Sequence, residues 1–253
     1  MQMQMQMEIS DRELFSKLLK EQAEAFDIEL TERQIQQFYR YFELLTEWNS
    51  VMNLTAITKM EEVVTKHFVD SLSIVKIVPD FGKKPCSLID VGTGAGFPGI
   101  PLKIAFPKVN VVLLDSLNKR IKFLNEVISQ LELTEITAIH GRAEDWGRDK
   151  QYREKFDYCV SRAVANLSTL SEYCIPFVKV GGSFIPYKSG KVEEEMLTAR
   201  KAVQILGGEV MQEEEFTLPK ADASRILVKI DKKKTLSSKY PRKAGTPSKE
   251  PLG

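Results

Sequence analysis

A run of glycines between a buried strand and a helix constrains this chain more than any other feature. The run Asp90-Val-Gly-Thr-Gly-Ala-Gly-Phe-Pro-Gly99 begins within the last two residues of an apolar segment at 87–91 and leads into a stretch with helical spacing. Glycines at such a turn allow positive φ angles and let the backbone approach a ligand closely. The sequence therefore predicts a strand–turn–helix ligand site.

Strand and helix signals alternate through the residues that follow. Short apolar runs predict buried strands, and the amphipathic stretches between them predict helices, a pattern typical of a mostly parallel sheet covered on both faces. The last two predicted strands have no helix between them, so we expect them to form an antiparallel hairpin that closes the sheet. The predicted strands are 87–91, 109–115, 135–140, 156–160, 183–187, 209–218 and 225–231, and the predicted helices are 98–106, 117–131, 166–178 and 191–206.

The first 80 residues follow a different pattern, which predicts three helices. Ser10 is a candidate N-cap for the first helix, and Thr31-Glu-Arg-Gln34 is a capping box that opens the second. A third helix is predicted over 61–78. The alternating Met and Gln of residues 1–7 are interpreted as a leader or a frayed end. We predict a helical extension at 1–80, a core domain at 81–231 and a basic tail at 232–253.

Basic residues are concentrated in that tail, although the net charge of the chain is only +1. Residues 229–253 hold eight basic and two acidic side chains. This excess favours an anionic partner, most often nucleic acid, although a solvated tail is the alternative. Prolines and glycines disfavour a helix, so we expect the tail to order only on its partner. Lys239, Arg242 and Lys243 are its candidate RNA contacts.

Several classes of protein are excluded by composition. Three cysteines without CxxC spacing and only two histidines argue against a disulfide framework or a metal site. No apolar run is long enough to span a membrane. We expect a cytoplasmic monomer without a metal.

The spacing within the glycine run excludes two nucleotide motifs. The dinucleotide fingerprint requires Gly or Ala where Phe97 stands, and the P-loop lysine is missing. Asp115 ends the second strand, where a carboxylate can accept hydrogen bonds from a ribose. A ligand with a ribose and no pyrophosphate is indicated, and S-adenosylmethionine fits. Asp90, Gly92 and Gly94 are then cofactor-binding candidates, and the alternative is a turn with a structural aspartate.

The sequence identifies the molecule that accepts the methyl group less directly than it identifies the cofactor. The fourth strand ends Tyr158-Cys-Val-Ser-Arg162, without the proline-containing motif of amine methyltransferases. None of the three cysteines is placed as the nucleophile of a cytosine C5 enzyme. Guanine N7 carries a lone pair and no proton, so its methylation requires alignment and no general base. The pattern is compatible with N7 chemistry, and it identifies no catalytic residue.

Seven motifs together resemble the bacterial small-subunit rRNA methyltransferase G family, also called glucose-inhibited division protein B. The resemblance covers essentially the whole chain after the Met-Gln run. It implies a class I, Rossmann-like methyltransferase fold and transfer of methyl from S-adenosylmethionine to N7 of a guanine in the decoding region of 16S rRNA, on free RNA or on the small ribosomal subunit. The motifs are 48–55, 67–71, 90–99, 115–120, 141–144, 161–163 and 239–247.

The resemblance also implies roles for individual residues. The methionine side of the cofactor would contact Gly92 and Phe97, and the adenine would lie beside Ala143 and Glu144. Arg162 would lie between cofactor and RNA, holding a phosphate or stacking on a base. Asp115 would bind the ribose. Lys119 and Arg120 would contact RNA phosphates or, as the alternative, form a solvated helix face. His67 would lie near the cleft, as a base or as a structural histidine, with Asp70 nearby.

Two other functions remain open from the sequence. A small-molecule methyltransferase could use the helical extension as a lid. A non-catalytic RNA-binding or cell-division factor could bind the cofactor without using it.

Overall fold

The structure is a computed structural model that describes residues 2–162, 165–190 and 193–253. Met1 of the predicted leader, Ala163 of the 161–163 motif and Lys191, the first residue of a predicted helix, lie outside the described residues.

Within these described ranges, seven strands form one mixed sheet in the order β3-β2-β1-β4-β5-β7-β6. The first five strands are parallel, and β7 pairs antiparallel with both β5 and β6. This confirms the predicted fold class, including the late hairpin. The strands are β1 Cys86–Val91, β2 Val109–Asp115, β3 Ile136–His140, β4 Phe156–Arg162, β5 Val178–Lys188, β6 Gly208–Thr217 and β7 Ser224–Lys232.

Helices cover both faces because the side chains of each strand alternate between them. Leu88 joins the core that contains the N-terminal helices, whereas its neighbour Ile89 joins the core beneath the later helices. A strand buried on both faces requires a continuous apolar run, as the sequence has here. The helices are α1 Gln2–Glu24, α2 Glu32–Met52, α3 Met60–Val63, α4 Asp70–Leu72, α5 Gly99–Ala105, α6 Asn118–Gln130, α7 Ala143–Trp146, α8 Leu167–Cys174, α9 Glu193–Ile205 and α10 Thr246–Lys249.

Two helical predictions need correction. Ser10 is not an N-cap, because α1 begins at Gln2 and runs through it; Met and Gln both favour helix, so the helix continues through the Met-Gln run. The third predicted helix is not regular. A π-helix, Val64–Val69, separates α3 from α4, and a 3₁₀ turn, Ser73–Lys76, follows. The capping box of α2 is confirmed at Thr31 and Gln34.

The helical extension packs directly against the glycine turn. Tyr41 of α2 stacks on Phe68 with ring centroids 5.3 Å apart, and its ring centroid lies 5.4 Å from that of Phe97. Its hydroxyl donates a hydrogen bond to the carbonyl of Ala95. These aromatic contacts hold the turn in place from the side of the extension.

None of the described helices is long and apolar enough to cross a membrane.

Candidate active site

A cleft opens at the carboxyl ends of β1 and β2. It consists of two cavities, about 410 Å³ and 180 Å³, which share Gly92, Asp115 and Ser116. Parallel strands bring their carboxyl ends to one edge, where ligands of open α/β sheets bind. The larger cavity is lined by Leu54, Thr55, His67, Gly92, Thr93, Gly94, Ala95, Phe97, Asp115, Ser116, Arg120 and Arg162. The smaller is lined by Val91, Gly92, Leu114, Asp115, Ser116, Gly141, Arg142, Ala143, Glu144 and Tyr173.

The glycine turn forms one wall of the cleft. Gly92 and Gly94 have φ angles of 72° and 63°, which residues other than glycine rarely adopt. A Cβ on Gly94 would meet no atom within 4 Å, so the backbone there faces open space that a ligand can fill.

Asp90 binds the glycine turn through hydrogen bonds and is not among the residues that line the two cavities. Its Oδ2 accepts hydrogen bonds from Thr93 Oγ1 at 2.6 Å and from the Gly99 amide at 2.8 Å. The side chain is fully buried, and burial raises the pKa of Asp90 to about 7. The structure thus gives Asp90 a role in holding the turn, and its contact with the cofactor stays a prediction. The carboxyl group of Asp90, which the sequence analysis assigned to the cofactor, holds the glycine turn in place.

Asp115 lines both cavities, as a ribose-binding residue must. Its Oδ2 accepts from the Gly94 amide at 2.9 Å, and its Oδ1 accepts from the Leu117 amide at 2.9 Å. Arg120 Nη1 lies 3.1 Å from Oδ2, and Arg120 lines the larger cavity. The charge of Arg120 is thus paired within the cleft, which does not fit the predicted RNA-phosphate contact. Lys119 is exposed on α6, which suits both a phosphate contact and a solvated helix face, so its RNA contact stays a prediction.

The smaller cavity is bounded by Ala143, Glu144 and Tyr173. Glu144 is buried, and its Oε1 accepts a hydrogen bond of 2.8 Å from the amide of Gly245. The C-terminal segment therefore reaches the predicted adenine end of the cleft. Sequence reasoning missed this contact, because nothing local links residues 101 positions apart.

His67 and Arg162 lie side by side at the other end of the larger cavity. Arg162 Nη2 donates to His67 Nδ1 at 3.1 Å, and Thr55 Oγ1 lies 2.8 Å from His67 Nε2. Burial and then the charge of Arg162 lower the pKa of His67 to about 3. A neutral imidazole with both nitrogens engaged is a structural histidine, so the predicted alternative of a catalytic base is not favoured. The rings of His67 and Phe97 stack at 4.5 Å.

Asp70 anchors this corner. The carboxylate is buried, with Oδ2 3.0 Å from Arg162 Nη1 and Oδ1 3.1 Å from Arg225 Nε. Arg162 also donates to the Lys66 carbonyl at 3.1 Å, and its guanidinium carbon lies 4.9 Å from the centroid of the Phe97 ring. One buried carboxylate therefore joins the helical extension to β4 and β7.

A third cavity of about 360 Å³ lies beyond Arg162 and His67, which line both it and the cleft; we call it the β5–β7 cavity. The motifs of the sequence did not include its residues from β5 and β7. They meet only because β5 pairs with β7, and Lys188 stands opposite Ile226 in the register. Its walls are Ile57, Lys66, His67, Asp70, Arg162, Tyr187, Lys188, Ser189, Glu195 and Arg225.

The C-terminal segment, residues 233–253, is packed on the core, contrary to the expectation that it orders only on a partner. The Arg242 side chain donates three hydrogen bonds to the carboxylate of Glu172, two from Nε at 3.0 Å and 3.1 Å and one from Nη2 at 2.7 Å, and its backbone amide donates to the same group. Glu172 has no exposed surface. Arg242 is therefore committed to the fold and unlike the RNA contact that was predicted, whereas Lys239 and Lys243 are exposed.

Within the described ranges, no group of three or more His, Cys, Asp or Glu could hold a metal ion. The cysteines are free thiols; Cys159 and Cys174 are buried in the core, and Cys86 is half-buried.

S-adenosylmethionine fits this cleft. The open backbone at Gly94 leaves room for a ligand, the carboxylate of Asp115 faces both cavities, and Tyr173 offers an apolar ring at the far end. Asp115 would hold the ribose hydroxyls, and Ala143 and Glu144 the adenine.

Comparisons with known proteins show the family of this chain. Residues 34–223 match the family model described as rRNA small subunit methyltransferase G. The chain is 56% identical over 225 residues to the ribosomal RNA small subunit methyltransferase G of Lachnoclostridium phytofermentans, covering 89% of this chain and 92% of that one. It is 53% identical over 235 residues to the protein of the same name from Alkaliphilus oremlandii, covering 93% and 98%.

Among solved structures, TYW2 of M. jannaschii in complex with AdoMet has the same fold, with a TM-score of 0.50 and 16% identity over 64% of this chain and 76% of that chain. The family match covers most of the chain, including the glycine turn, Asp115 and Arg162, and the chain belongs to the rRNA small subunit methyltransferase G family.

Proposed function

We propose that this protein transfers the methyl group of S-adenosylmethionine to N7 of a guanine in 16S rRNA of the small ribosomal subunit. The observation that carries the proposal is the state of the possible bases beside the cleft. His67 is neutral and bonded at both nitrogens, and Asp70 and Asp115 are each paired with an arginine. Relatives that are more than half identical are named ribosomal RNA small subunit methyltransferase G.

A nucleophile without a proton suits such a site. Bound S-adenosylmethionine supplies an electrophilic methyl group on a sulfonium sulfur. Guanine N7 attacks with its lone pair and releases no proton, so the residues of this chain need only bind, orient and exclude water. His67 and Phe97 hold Arg162 at the end of the cleft, and the glycine turn and Asp115 hold the cofactor.

Lys119, Lys239 and Lys243 are exposed cations that can meet RNA phosphates.

The test is methyl transfer from labelled S-adenosylmethionine. Acceptors are 16S rRNA and small subunits from a strain that lacks the modification, and the products are digested to nucleosides. We expect label in 7-methylguanosine, and the better acceptor shows whether free RNA or the subunit is recognised. Label on a small metabolite but not on RNA would support the small-molecule alternative. Cofactor and RNA binding without any transfer would support a non-catalytic factor, and either result would refute the proposal.

A further inference from the structure

We propose that the β5–β7 cavity is the pocket for the acceptor guanine, and that Lys188 and Glu195 recognise its Watson–Crick edge. This inference rests on the proposed function and adds the residues that select the base. The cavity shares the wall of His67 and Arg162 with the cofactor cleft, so a base bound there lies next to the methionine end. Enzymes that modify a base commonly take it out of its stack into such a pocket.

The hydrogen bonds of Arg162 leave stacking as its main means of contact with a base. Three of its five N–H donors are used by the Lys66 carbonyl, Asp70 and His67. Its guanidinium already lies over one aromatic ring, that of Phe97. A guanidinium held in its plane in this way is a rigid platform for a second planar group. Of the two roles expected for Arg162, stacking on a base is therefore favoured over holding a phosphate.

Two further residues of the cavity lining, Lys188 and Glu195, offer a donor beside an acceptor. Lys188 Nζ lies 2.6 Å from Glu195 Oε1 and also donates to the Ala165 carbonyl at 2.9 Å. The same Glu195 oxygen accepts from the Leu167 amide. The side chains of Lys188 and Glu195 are only 11% and 23% exposed, so both are held in place before a ligand binds.

That pair matches guanine and mismatches the other purine. Guanine presents O6, an acceptor, next to N1–H and the 2-amino group, which are donors. Lys188 can donate to O6, while Oε2 of Glu195, the carboxylate oxygen that does not bind Lys188 and Leu167, accepts from N1–H and the 2-amino group. Adenine presents a donor and an acceptor in the reverse order and would meet both residues with the wrong polarity. N7 lies on a different edge of the base, where it can face the cofactor cleft.

The charge of the cavity suits a nucleotide. Four cations and two carboxylates line it: Lys66, Arg162, Lys188 and Arg225 against Asp70 and Glu195. His67 adds no charge because its pKa is about 3. The π-helix that carries Lys66 and His67 is itself a feature enriched at functional sites.

The test compares Glu195→Gln with Glu194→Gln, a matched control on the exposed side of the same helix. Acceptors are the small subunit, or 16S rRNA, with guanine or with inosine at the methylated position; inosine lacks the 2-amino group. We expect Glu195→Gln to lower kcat/KM on guanine by about 10- to 100-fold and to remove most of the preference of the wild type for guanine over inosine. The control should behave as the wild type, and all three proteins should be folded and bind S-adenosylmethionine alike, with Glu195→Gln less stable in urea because Lys188 loses its ion-pair partner.

Equal rates for the two variants, or an unchanged preference for guanine in Glu195→Gln, would overturn the pocket while leaving the methyl transfer intact. Absence of RNA labelling by the wild type would instead refute the proposed function. Binding of guanosine and adenosine monophosphates to the complex with S-adenosylhomocysteine then decides the pocket separately. Preference for the guanine nucleotide that depends on Glu195 would retain it, and no preference would overturn it.

Discussion

His67 is neutral at physiological pH because burial, and then the positive charge of Arg162, lower its pKa to about 3. The unfolded chain protonates this histidine near pH 6.5, so between about pH 3 and 6.5 the unfolded state binds more protons than the folded state. Stability therefore falls as the pH drops below about 6.5, by up to about 1.4 kcal/mol per pH unit from this residue. We expect His67→Gln to lose that part of the slope in urea unfolding between about pH 7.5 and 5.

The buried Asp90, whose pKa is raised to about 7, contributes a slope of opposite sign to both proteins, so the difference between them reports His67. Identical pH dependence would mean that His67 takes up its proton over the same pH range in the folded and the unfolded chain.

Asp115 is the residue on which cofactor binding should depend most. Replacing it with Asn keeps the shape and removes the charge that accepts from Gly94 and pairs with Arg120. Since a hydrogen bond to a charged group contributes more than a neutral one, we expect about 10- to 100-fold weaker binding of S-adenosylmethionine by calorimetry. Asp145→Asn, at an exposed position near the adenine end, is the control and should bind normally. Equal affinities in the two variants would exclude Asp115 as a cofactor contact.

At the scale of elements, the C-terminal segment is held on α8 by the ion pair between Arg242 and Glu172. Arg242→Ala would leave Glu172 buried and unpaired, and breaking a buried ion pair in this way typically costs about 3–5 kcal/mol. We expect a lower free energy of unfolding in urea by that amount, with the double variant Arg242→Met/Glu172→Met recovering much of it. Lys243→Ala, the exposed neighbour, should change stability little. A small effect of Arg242→Ala would mean that the segment detaches from the core in solution.

The same segment connects to the cofactor site through the Gly245–Glu144 hydrogen bond. Truncation after Lys232 should therefore weaken S-adenosylmethionine binding as well as RNA binding. Loss of RNA binding alone, with unchanged cofactor affinity, would mean that the segment acts only as a basic tail.

At the scale of the whole molecule, a net charge of +1 means that RNA affinity depends on where the exposed cations lie. Lys239→Gln/Lys243→Gln removes two of them without touching the Arg242–Glu172 pair. We expect weaker RNA binding and a salt dependence, log K against log salt concentration, that is shallower by about 0.7–0.9 for each phosphate that the variant no longer neutralises. Cofactor affinity should not change. An unchanged slope would place the RNA elsewhere on the surface.

Much of the fold could be predicted because its signals are local. A strand buried on both faces needs an apolar run, and a tight turn at a ligand needs glycine, so β1, the glycine turn and Asp115 are visible in the sequence. The late hairpin was visible for the same reason, since no helical stretch separates β6 from β7. Ser10 failed as an N-cap because the residues before it also favour helix.

The role of a side chain was harder to predict than its position. Asp90, Arg120 and Arg242 each carried the right chemistry for a ligand contact. The fold pairs Arg120 and Arg242 with buried carboxylates, because a charged group inside the protein must be paired, and it uses Oδ2 of the buried Asp90 to accept hydrogen bonds from Thr93 and Gly99.

The sequence by itself determined the sheet, the glycine turn and the carboxylate at the end of β2, because each depends on residues that are adjacent or regularly spaced. Only the tertiary structure decided that Asp70 joins Arg162 to Arg225, that Glu195 faces the same cavity as His67, and that Gly245 reaches Glu144. These residues are distant in the chain and meet through strand pairing and the packing of the C-terminal segment. No local pattern carries that information, because the sequence of a short segment does not specify which distant segment packs against it.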